Sequence, residues 1–585
     1  MKLITKYLKP YFGFLIFTLI IKTTGTVAEL IIPYILSHII DVIIPKVTLL
    51  GEGDSARGVL LEIIFWGGMM ILCAAAALTF NVIANRRSVK TARDATELIR
   101  HDLFHASLHL SCRNADRLTI PSMESRLTSD TYNLHHFIGM MQRIGVRAPL
   151  LLLGGVLITL MHDAYLAMIM IAIIPILAVF IYFYSTRTVP LYSKVQNNVD
   201  KMVRVVREDS QGIRVIKALS KKDYEQRRFD DANRELVGIE KKVGYVTALS
   251  NPVMQVFLNM GLVAVVLLGA HRVNADLTHP GKIIAFMQYF TLISTSMMVL
   301  SRVFMAASKG IASANRIAEV IDMENEISTC SAEDYPEGEK DIHVSFDKVS
   351  FGYHTDKKVL HEISFKLKKG QTLGIIGATG SGKSTLLGLL MRFYDVTEGS
   401  VKIDGRDVRT IDGNELHSMF GVALQNDFIF NGSVKENIDF GRGLGFEEIK
   451  NAAARAQALD FIEEFPEGFE HEITSKGTNV SGGQKQRLLI SRALAGSPEI
   501  LILDDSSSAL DYKTDLNLRR AIAEQGGDTT VIIVAQRVSS VMNSDLIIVL
   551  DEGRINGIGT HEELLQSCEI YKEISDSQMG GAFLE

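Results

Sequence analysis

LGIIGATGSGKSTLLGLL, residues 373–390, runs from a short apolar stretch through a glycine-rich loop into a second apolar run. The first part reads as a buried strand and the last as a helix, with G-x-x-x-x-G-K-S between them at Gly377–Ser384. Gly377, Gly380 and Gly382 let the backbone turn its N–H groups toward phosphate oxygens. Lys383 would reach the β- and γ-phosphates of a nucleoside triphosphate, and the Ser384 hydroxyl would coordinate Mg²⁺. The start of the helix adds the positive end of its dipole.

The sequence around this loop has the matching organisation. HVSFDKVSFGY, VKIDGRDV, ILILDD, VIIVAQ and LIIVLDEG are strand-like runs with glycine turns, alternating with helix-compatible segments. That alternation predicts an α/β domain with a largely parallel sheet. In EILILDDSSSALD, residues 499–511, the apolar run delivers two carboxylates, Asp504 and Asp505, to the nucleotide. NVSGGQKQR, residues 479–487, is polar and glycine-paired, and it opens a helix. Backbone amides of Ser481, Gly482 and Gly483 at a helix start make a second anion site. Two phosphate-binding elements roughly a hundred residues apart make sense if two nucleotide domains meet head to tail, each closing the other's nucleotide.

The rest of the chain is of another kind. The whole has 585 residues, 47% of them apolar, and a mean hydropathy of +0.17, which points to membrane segments. Six stretches are long enough to cross a bilayer as helix: 11–44, 58–85, 144–161, 165–185, 249–270 and 281–306. Pro33 is placed to kink the first. Loops 45–57, 162–164 and 271–280 carry few Lys or Arg, whereas segments 86–143 and 186–248 are rich in them. The positive-inside rule then puts the long segments and both termini in the cytoplasm. These segments contain few breakers, so they read as helical extensions of the spans; 25 residues would reach about 40 Å. Lys2, Lys6 and Lys9 mark a short amphipathic segment at the membrane surface, and the N-terminal apolar run reads as a retained span, not a signal peptide. A polar linker at 326–341 separates a membrane domain, 1–325, from a nucleotide domain, 342–585. Net charge of −6 gives no reason to expect nucleic-acid binding, and four scattered cysteines argue against disulfides or a zinc site.

With these motifs in this order, the chain resembles a half-transporter of the ATP-binding cassette exporter family, along its whole length. The resemblance matches Gly377–Thr385, including Thr379, Ser381 and Thr385, to the Walker A loop that holds ATP. Tyr353 in FGYHTD matches the aromatic that stacks on adenine. Gln425 in VALQNDFIFNGSVKENI matches the Q-loop glutamine, a contact to Mg²⁺ beside Ser384 and Asp504. Ser481, Gly482, Gly483 and Gln484 match the signature, Asp504 the Walker B aspartate and Asp511 in SALD the D-loop. It implies a six-helix membrane domain, an α/β nucleotide domain with a helical subdomain, and ATP-driven export by alternating access.

Two positions depart from the family pattern. Glu is usual after the Walker B aspartate, and here Asp505 retracts the carboxylate by one methylene, about 1.5 Å. A displacement of about 1 Å costs on the order of a hundredfold in rate. The switch histidine is replaced by Gln536, whose amide cannot take up a proton or bear a charge as a histidine ring can. The signature, by contrast, is intact. That combination points to a heterodimer with a second half-transporter: this chain's own site would bind ATP and hydrolyse it poorly, while its signature completes the partner's catalytic site. The alternatives are a slow homodimeric exporter and an ATP-binding regulatory subunit. A third departure is Ser475, where Glu is usual ahead of the signature.

Segments 114–130, interrupted at Pro121, and 210–225, with Gly212 ahead of an apolar stripe, resemble the family's short coupling helices, which dock on nucleotide domains. Lys22 and Glu29 lie two turns apart on the first span, either facing substrate or forming a structural pair. Met287, Met297, Met298 and Met305 suit flexible apolar ligands. The substrate class expected is a drug, lipid or other amphiphile leaving the cytoplasm or inner leaflet, with a bacterial inner membrane as the location.

Overall fold

The computed structural model describes residues 2–49, 55–323, 327–331, 335, 338–339, 341–353, 357–425, 427–506, 510–523 and 528–579. It divides into two units, Met1–Leu108 with Ile120–Met323, and His109–Thr119 with Glu324–Glu585.

The first unit is helical. Apolar side chains cover these segments, and in lipid each backbone N–H and C=O must be bonded within its own segment, which helix achieves. Among the described residues, six helical stretches are long and apolar enough to cross a membrane: Lys2–Lys46, Gly58–Leu108, Ile120–His162, Ala164–Ala218, Lys222–Asn274 and Pro280–Ile321. Each contains one of the six expected apolar stretches. At 1.5 Å per residue, the 55 residues of Ala164–Ala218 extend about 80 Å, far beyond a hydrocarbon core of about 30 Å. Asp163 sets the turn between the third and fourth stretches by accepting from the N–H groups of Tyr165 and Leu166 at 3.0 and 3.2 Å. Phe12, Leu61, Ile71 and Leu72 point outward, as a lipid-facing surface requires. Inward, Leu30, Leu151, Leu166, Met170, Phe286 and Tyr289 form a cluster, where the Tyr289 hydroxyl donates to the Leu30 carbonyl at 2.7 Å.

Several local expectations need correction. Helix Phe12–His38 continues past Pro33, and a π-helical turn follows at Ile39–Ile43. Pro121 does not break a helix either. It sits in the first turn of Ile120–Ser125, where its missing N–H has no intrahelical role, and the break falls at Leu118 and Thr119. Helix continues straight through Gly212 to Ala218 and resumes at Lys222, so 210–225 holds a tight turn and no separate short helix. Lys22 and Glu29 do not pair with each other. The Lys22 ammonium donates to Asn85 Oδ1 at 3.0 Å, and Glu29 meets Arg147 at 2.6 Å. The N-terminal helix Lys2–Leu8 is amphipathic as expected: Leu3, Ile4 and Tyr7 are buried, Lys2 and Lys6 exposed. Tyr7 donates to Asp102 at 2.6 Å.

The second unit is α/β. A short pair, β7 (Gly432–Ser433) and β8 (Glu472–Ile473), stands apart from a mainly parallel sheet, whose order across its six strands β3 (Thr372–Ile376), β6 (Phe420–Ala423), β9 (Ile500–Asp504), β10 (Thr530–Val534), β11 (Leu546–Asp551) and β12 (Arg554–Gly559) is β12-β11-β3-β10-β9-β6. All but β12, which is antiparallel to β11, run parallel. β9 reads ILILD and is buried at every position, as a central strand covered on both faces must be. A second, antiparallel sheet has the order β2-β1-β4-β5, from β1 (Val344–Phe351), β2 (Leu360–Leu367), β4 (Glu398–Ile403) and β5 (Arg406–Asp407). Leu386, Leu389 and Leu390 of the helix after the glycine loop pack between the two sheets' apolar faces with Phe351, Leu373 and Ile502. A second cluster holds the helical segment around Ile449, Phe461 and Leu489.

The short helix Cys112–Arg117 groups with this unit and not with the 1–325 membrane domain to which its position in the sequence assigned it. Ser111 caps it, accepting from the Asn114 N–H at 3.3 Å, and Asp116 accepts from the Tyr394 hydroxyl at 2.6 Å. Burial and that carboxylate push the Tyr394 phenol well above its ordinary range.

Within the helical unit one charged group carries unusual weight. Asp130 is 2% exposed and accepts from Ser313 Oγ and Arg316 Nε, both at 2.8 Å. Arg126, also buried, reaches Glu319 at 2.8 Å. Removing a buried carboxylate strands its partners, at a cost on the order of 3 kcal/mol. Asp130→Ala is therefore expected to lower the thermal unfolding transition of the detergent-solubilised protein by several degrees, and Asp130→Asn, which still accepts from Ser313, by less.

Candidate functional site

The parallel register aligns the carboxyl ends of β3, β10, β9 and β6 along one edge. Each strand hands a polar side chain or loop to that edge: the glycine loop after β3, Gln425 after β6, Asp504 and Asp505 at the end of β9, and Gln536 after β10. Together they line a cavity of about 320 Å³ with Thr379, Gly380, Gly382, Lys383, Ser384 and Thr385. This is where an open α/β sheet binds ligands.

The loop geometry explains its glycines. Gly380 and Gly382 have φ of 86° and 104°, in the left-handed region. A Cβ on Gly377 would lie 2.1 Å from the Leu550 carbonyl oxygen, so no side chain fits there. Around Gly380 an added Cβ would meet nothing within 4 Å, leaving the loop open to a ligand. Lys383 Nζ arches back over the loop and donates to the carbonyls of Gly377 and Ala378 at 2.9 and 2.8 Å. Ser381 is buried, and its hydroxyl has no partner among the described residues.

Two charges face each other across this cavity. Burial lowers the Lys383 ammonium from its ordinary value, while Asp504 and Asp505 work the other way. Burial likewise raises the Asp504 carboxyl, opposed by the Ser384 hydrogen bond and by Lys383. Ser384 Oγ donates to Asp504 Oδ2 at 3.1 Å, which sets two hard oxygen ligands side by side. That pair, beside an open loop of backbone N–H groups, fits Mg²⁺ carried on a triphosphate.

Asp505 is held differently. Its φ is 49°, and its N–H donates to the Val534 carbonyl at 2.8 Å. Its Oδ2 accepts from two side-chain amides, Gln536 Nε2 at 3.1 Å and Gln425 Nε2 at 3.3 Å. The three positions singled out in the sequence thus meet at one oxygen.

Other expected site residues lie apart from the cavity. Tyr353 is not in its wall; its hydroxyl is 3.0 Å from Thr385 Oγ1, and its ring meets Tyr394 edge-on at 5.2 Å. Ser481, Gly482, Gly483 and Gln484 are also outside it, at the start of the helix Gly482–Leu494. Ser481 Oγ accepts from the Gln484 N–H at 3.3 Å, and Gln484 Oε1 accepts from the Ser481 N–H at 2.9 Å, a closed capping box. Ser481 and Gly482 are exposed. Asp511 is exposed and caps the next helix, accepting from the Thr514 N–H at 2.9 Å and its hydroxyl at 2.7 Å; residues 507–509 before it lie outside the described residues. Ser475 opens a tight turn in which the Thr474 N–H donates to Asn479 at 3.0 Å. The cavity wall also includes Val359, Val534 and Ala535, which sequence reasoning missed. They are ordinary apolar residues, placed only by the strands they follow or precede.

Comparison with known proteins agrees with this architecture. Residues 15–297 match the family model described as ABC transporter transmembrane region, and residues 360–508 match that described as ABC transporter. The chain is similar to an uncharacterized ABC transporter ATP-binding protein of Mycobacterium tuberculosis, 32% identical over 583 residues and 98% of each chain. It is also similar to the uncharacterized ABC transporter ATP-binding protein YfiB of Bacillus subtilis, 31% identical over 577 residues and 98% of each chain. In fold it resembles the structure of a bacterial Atm1-family ABC exporter with ATP bound, with a TM-score of 0.80, 24% identity and 98% of each chain covered. Full-length identity to such relatives, two matching family models and a triphosphate cradle at the sheet edge together place this chain in the ABC transporter family, as an ATPase transporter with its membrane-spanning and ATP-binding domains on one polypeptide.

Proposed function

We propose that this chain is one half of a heterodimeric ABC exporter, in which its own site binds Mg²⁺-ATP but turns it over slowly. The observation that carries this reading is the clamp on Asp505. A hydrolytic site needs a carboxylate free to polarise a water at the γ-phosphate. Here the carboxylate is a methylene short, and one oxygen already accepts two amide hydrogens. Both amides tie that oxygen to the protein's own side chains, away from a water. Gln536 cannot replace a histidine in moving or bearing a proton. Lys383, Ser384, Asp504 and Gln425 keep what is needed to hold the triphosphate and Mg²⁺, and Tyr353 the ring to stack on adenine. The Ser481–Gln484 helix start, exposed at Ser481 and Gly482 and outside the lining of this chain's own cavity, suits a second nucleotide on another subunit.

For the cargo, the helical unit contributes a cavity of about 600 Å³ lined by Ile32, Pro33, Leu262, Ile284, Met287 and Leu292, with Glu29, Gln288 and Thr291 as its polar members. An apolar wall with a few polar members suits amphiphiles. The substrate proposed is therefore a drug- or lipid-like amphiphile, moved outward from the cytoplasm or inner leaflet, with the nucleotide domain and both termini on the cytoplasmic side. The Cys112–Arg117 helix, joined in the chain to the second and third spans and bonded to Tyr394 through Asp116, would carry the mechanical link.

Two experiments test this. The purified single chain is expected to bind Mg²⁺-ATP yet hydrolyse it about a hundredfold more slowly than the complex with its partner. Asp505→Glu should change the turnover of that complex less than about threefold. Brisk steady-state hydrolysis by the isolated chain would overturn the reading. Separately, Asp116→Ala is expected to leave ATP binding unchanged while reducing substrate-stimulated hydrolysis and vesicle transport severalfold, as measured in proteoliposomes.

A further inference from the structure

At the end of the parallel sheet opposite the nucleotide cavity, three side chains converge that no part of the transport reading uses. His343 precedes β1, Asp404 forms the turn between β4 and β5, and Glu499 precedes β9. One imidazole nitrogen and one oxygen from each carboxylate all lie within 4.8 Å of one another. His343 is 1% exposed, and the two carboxylates are about half-exposed to solvent.

His343 is the informative member. Its Nδ1 lies 2.6 Å from Thr530 Oγ1, which also accepts from the Gly370 N–H at 3.0 Å. Its Nε2 is buried and makes no hydrogen bond with any described residue; the nearest carboxylate oxygen, Asp404 Oδ1, is 3.8 Å away. Leaving a buried polar atom unmet is unfavourable. If Nδ1 carries the proton, the Nε2 lone pair faces two carboxylates. If Nε2 carries it, the N–H stops short of them. Both tautomers call for a cation in the gap.

We propose that His343 Nε2, Asp404 and Glu499 form a binding site for a divalent first-row transition-metal ion, with zinc as its type. One neutral imidazole and two carboxylates, with water in the fourth position, are a donor set that such an ion accepts. Lys369 lies 4.0 Å from Glu499, a loose contact that a metal displaces.

Backbone bonds hold the donors in place without any ion. The Asp404 N–H donates to the His343 carbonyl at 2.8 Å, and the Thr530 N–H donates to the Glu499 carbonyl at 2.8 Å. Asp404 and Gly405, with φ of 47° and 76°, form the two-residue hairpin turn between Ile403 and Arg406. A bound metal pins the antiparallel sheet to the start of β9, at the point where the chain enters the nucleotide domain. Glu499 and Asp504 are separated by five strand residues, about 16 Å, so this ion is distinct from Mg²⁺ on the nucleotide.

The test uses the full-length chain without a histidine tag, in detergent, stripped with chelator and free of nucleotide and Mg²⁺. Titration with Zn²⁺ in a calorimeter is expected to give one ion per chain and a raised unfolding temperature, and Co²⁺ should give the visible absorption of a low-coordinate site. Glu499→Gln and Asp404→Asn are close in size, and both side chains are half-exposed, so the fold is kept. Each should weaken Zn²⁺ by at least about tenfold and leave Mg²⁺-ATP binding as in the wild type. Failure of the wild type to take up one equivalent, or equal Zn²⁺ affinity in both variants, overturns the proposal.

Discussion

The parallel register of β3, β10, β9 and β6 is the constraint on which the nucleotide domain depends. A parallel sheet puts all its carboxyl ends on one edge, so polar loops separated by more than a hundred residues in the chain arrive side by side. The strands themselves are nearly all apolar and buried, which fixes their depth. Only where they end can charge appear, and there Lys383 and Asp504 face each other at low solvent access. Each charge offsets part of the burial cost of the other, and the remaining need for compensation is what a triphosphate and its cation supply.

Within that edge, holding a nucleotide and cleaving it place different demands on geometry. Holding needs backbone N–H groups, a lysine and hard oxygens, all short-range and all present. Cleaving needs a carboxylate at the right distance and free to face a water. Asp505 meets the first demand better than the second, since Gln425 and Gln536 occupy the oxygen that would otherwise face a water. The division of labour proposed between two subunits follows from this difference. The Ser481–Gln484 helix start is closed on itself by its capping box, with Ser481 and Gly482 exposed.

The helical unit obeys another rule. Its helices are built by lipid-compatible side chains over part of their length and by charged pairs over the rest. Asp130 joins Ser313 and Arg316, almost two hundred residues away, through a single buried carboxylate, and Arg126 joins the same helix through Glu319. Glu29 and Lys22 divide in the same way, each to a different neighbour, because helix rotation decides which groove a side chain enters.

Much was written locally. The glycine loop, the ILILD strand, the capping box at Ser481 and the six apolar stretches depend on spacing within a dozen residues or so, and the sequence alone determined them. So did the membership of Asp505 and Gln536 in one site, once the motifs were ordered. Tertiary structure decided what spacing cannot reach. It placed Pro33 and Gly212 inside continuous helices, because neighbouring turns and packed helices override local breakers. It set 109–119 apart from the helical unit, since a bond from Asp116 to Tyr394 spans nearly three hundred residues. It also joined both glutamine amides to one aspartate oxygen and brought His343, Asp404 and Glu499 together. The physical reason is the same in each case: hydrogen bonds and ion pairs between distant segments form only after the sheet and helix registers are fixed, and those registers are set by burial of apolar faces against one another.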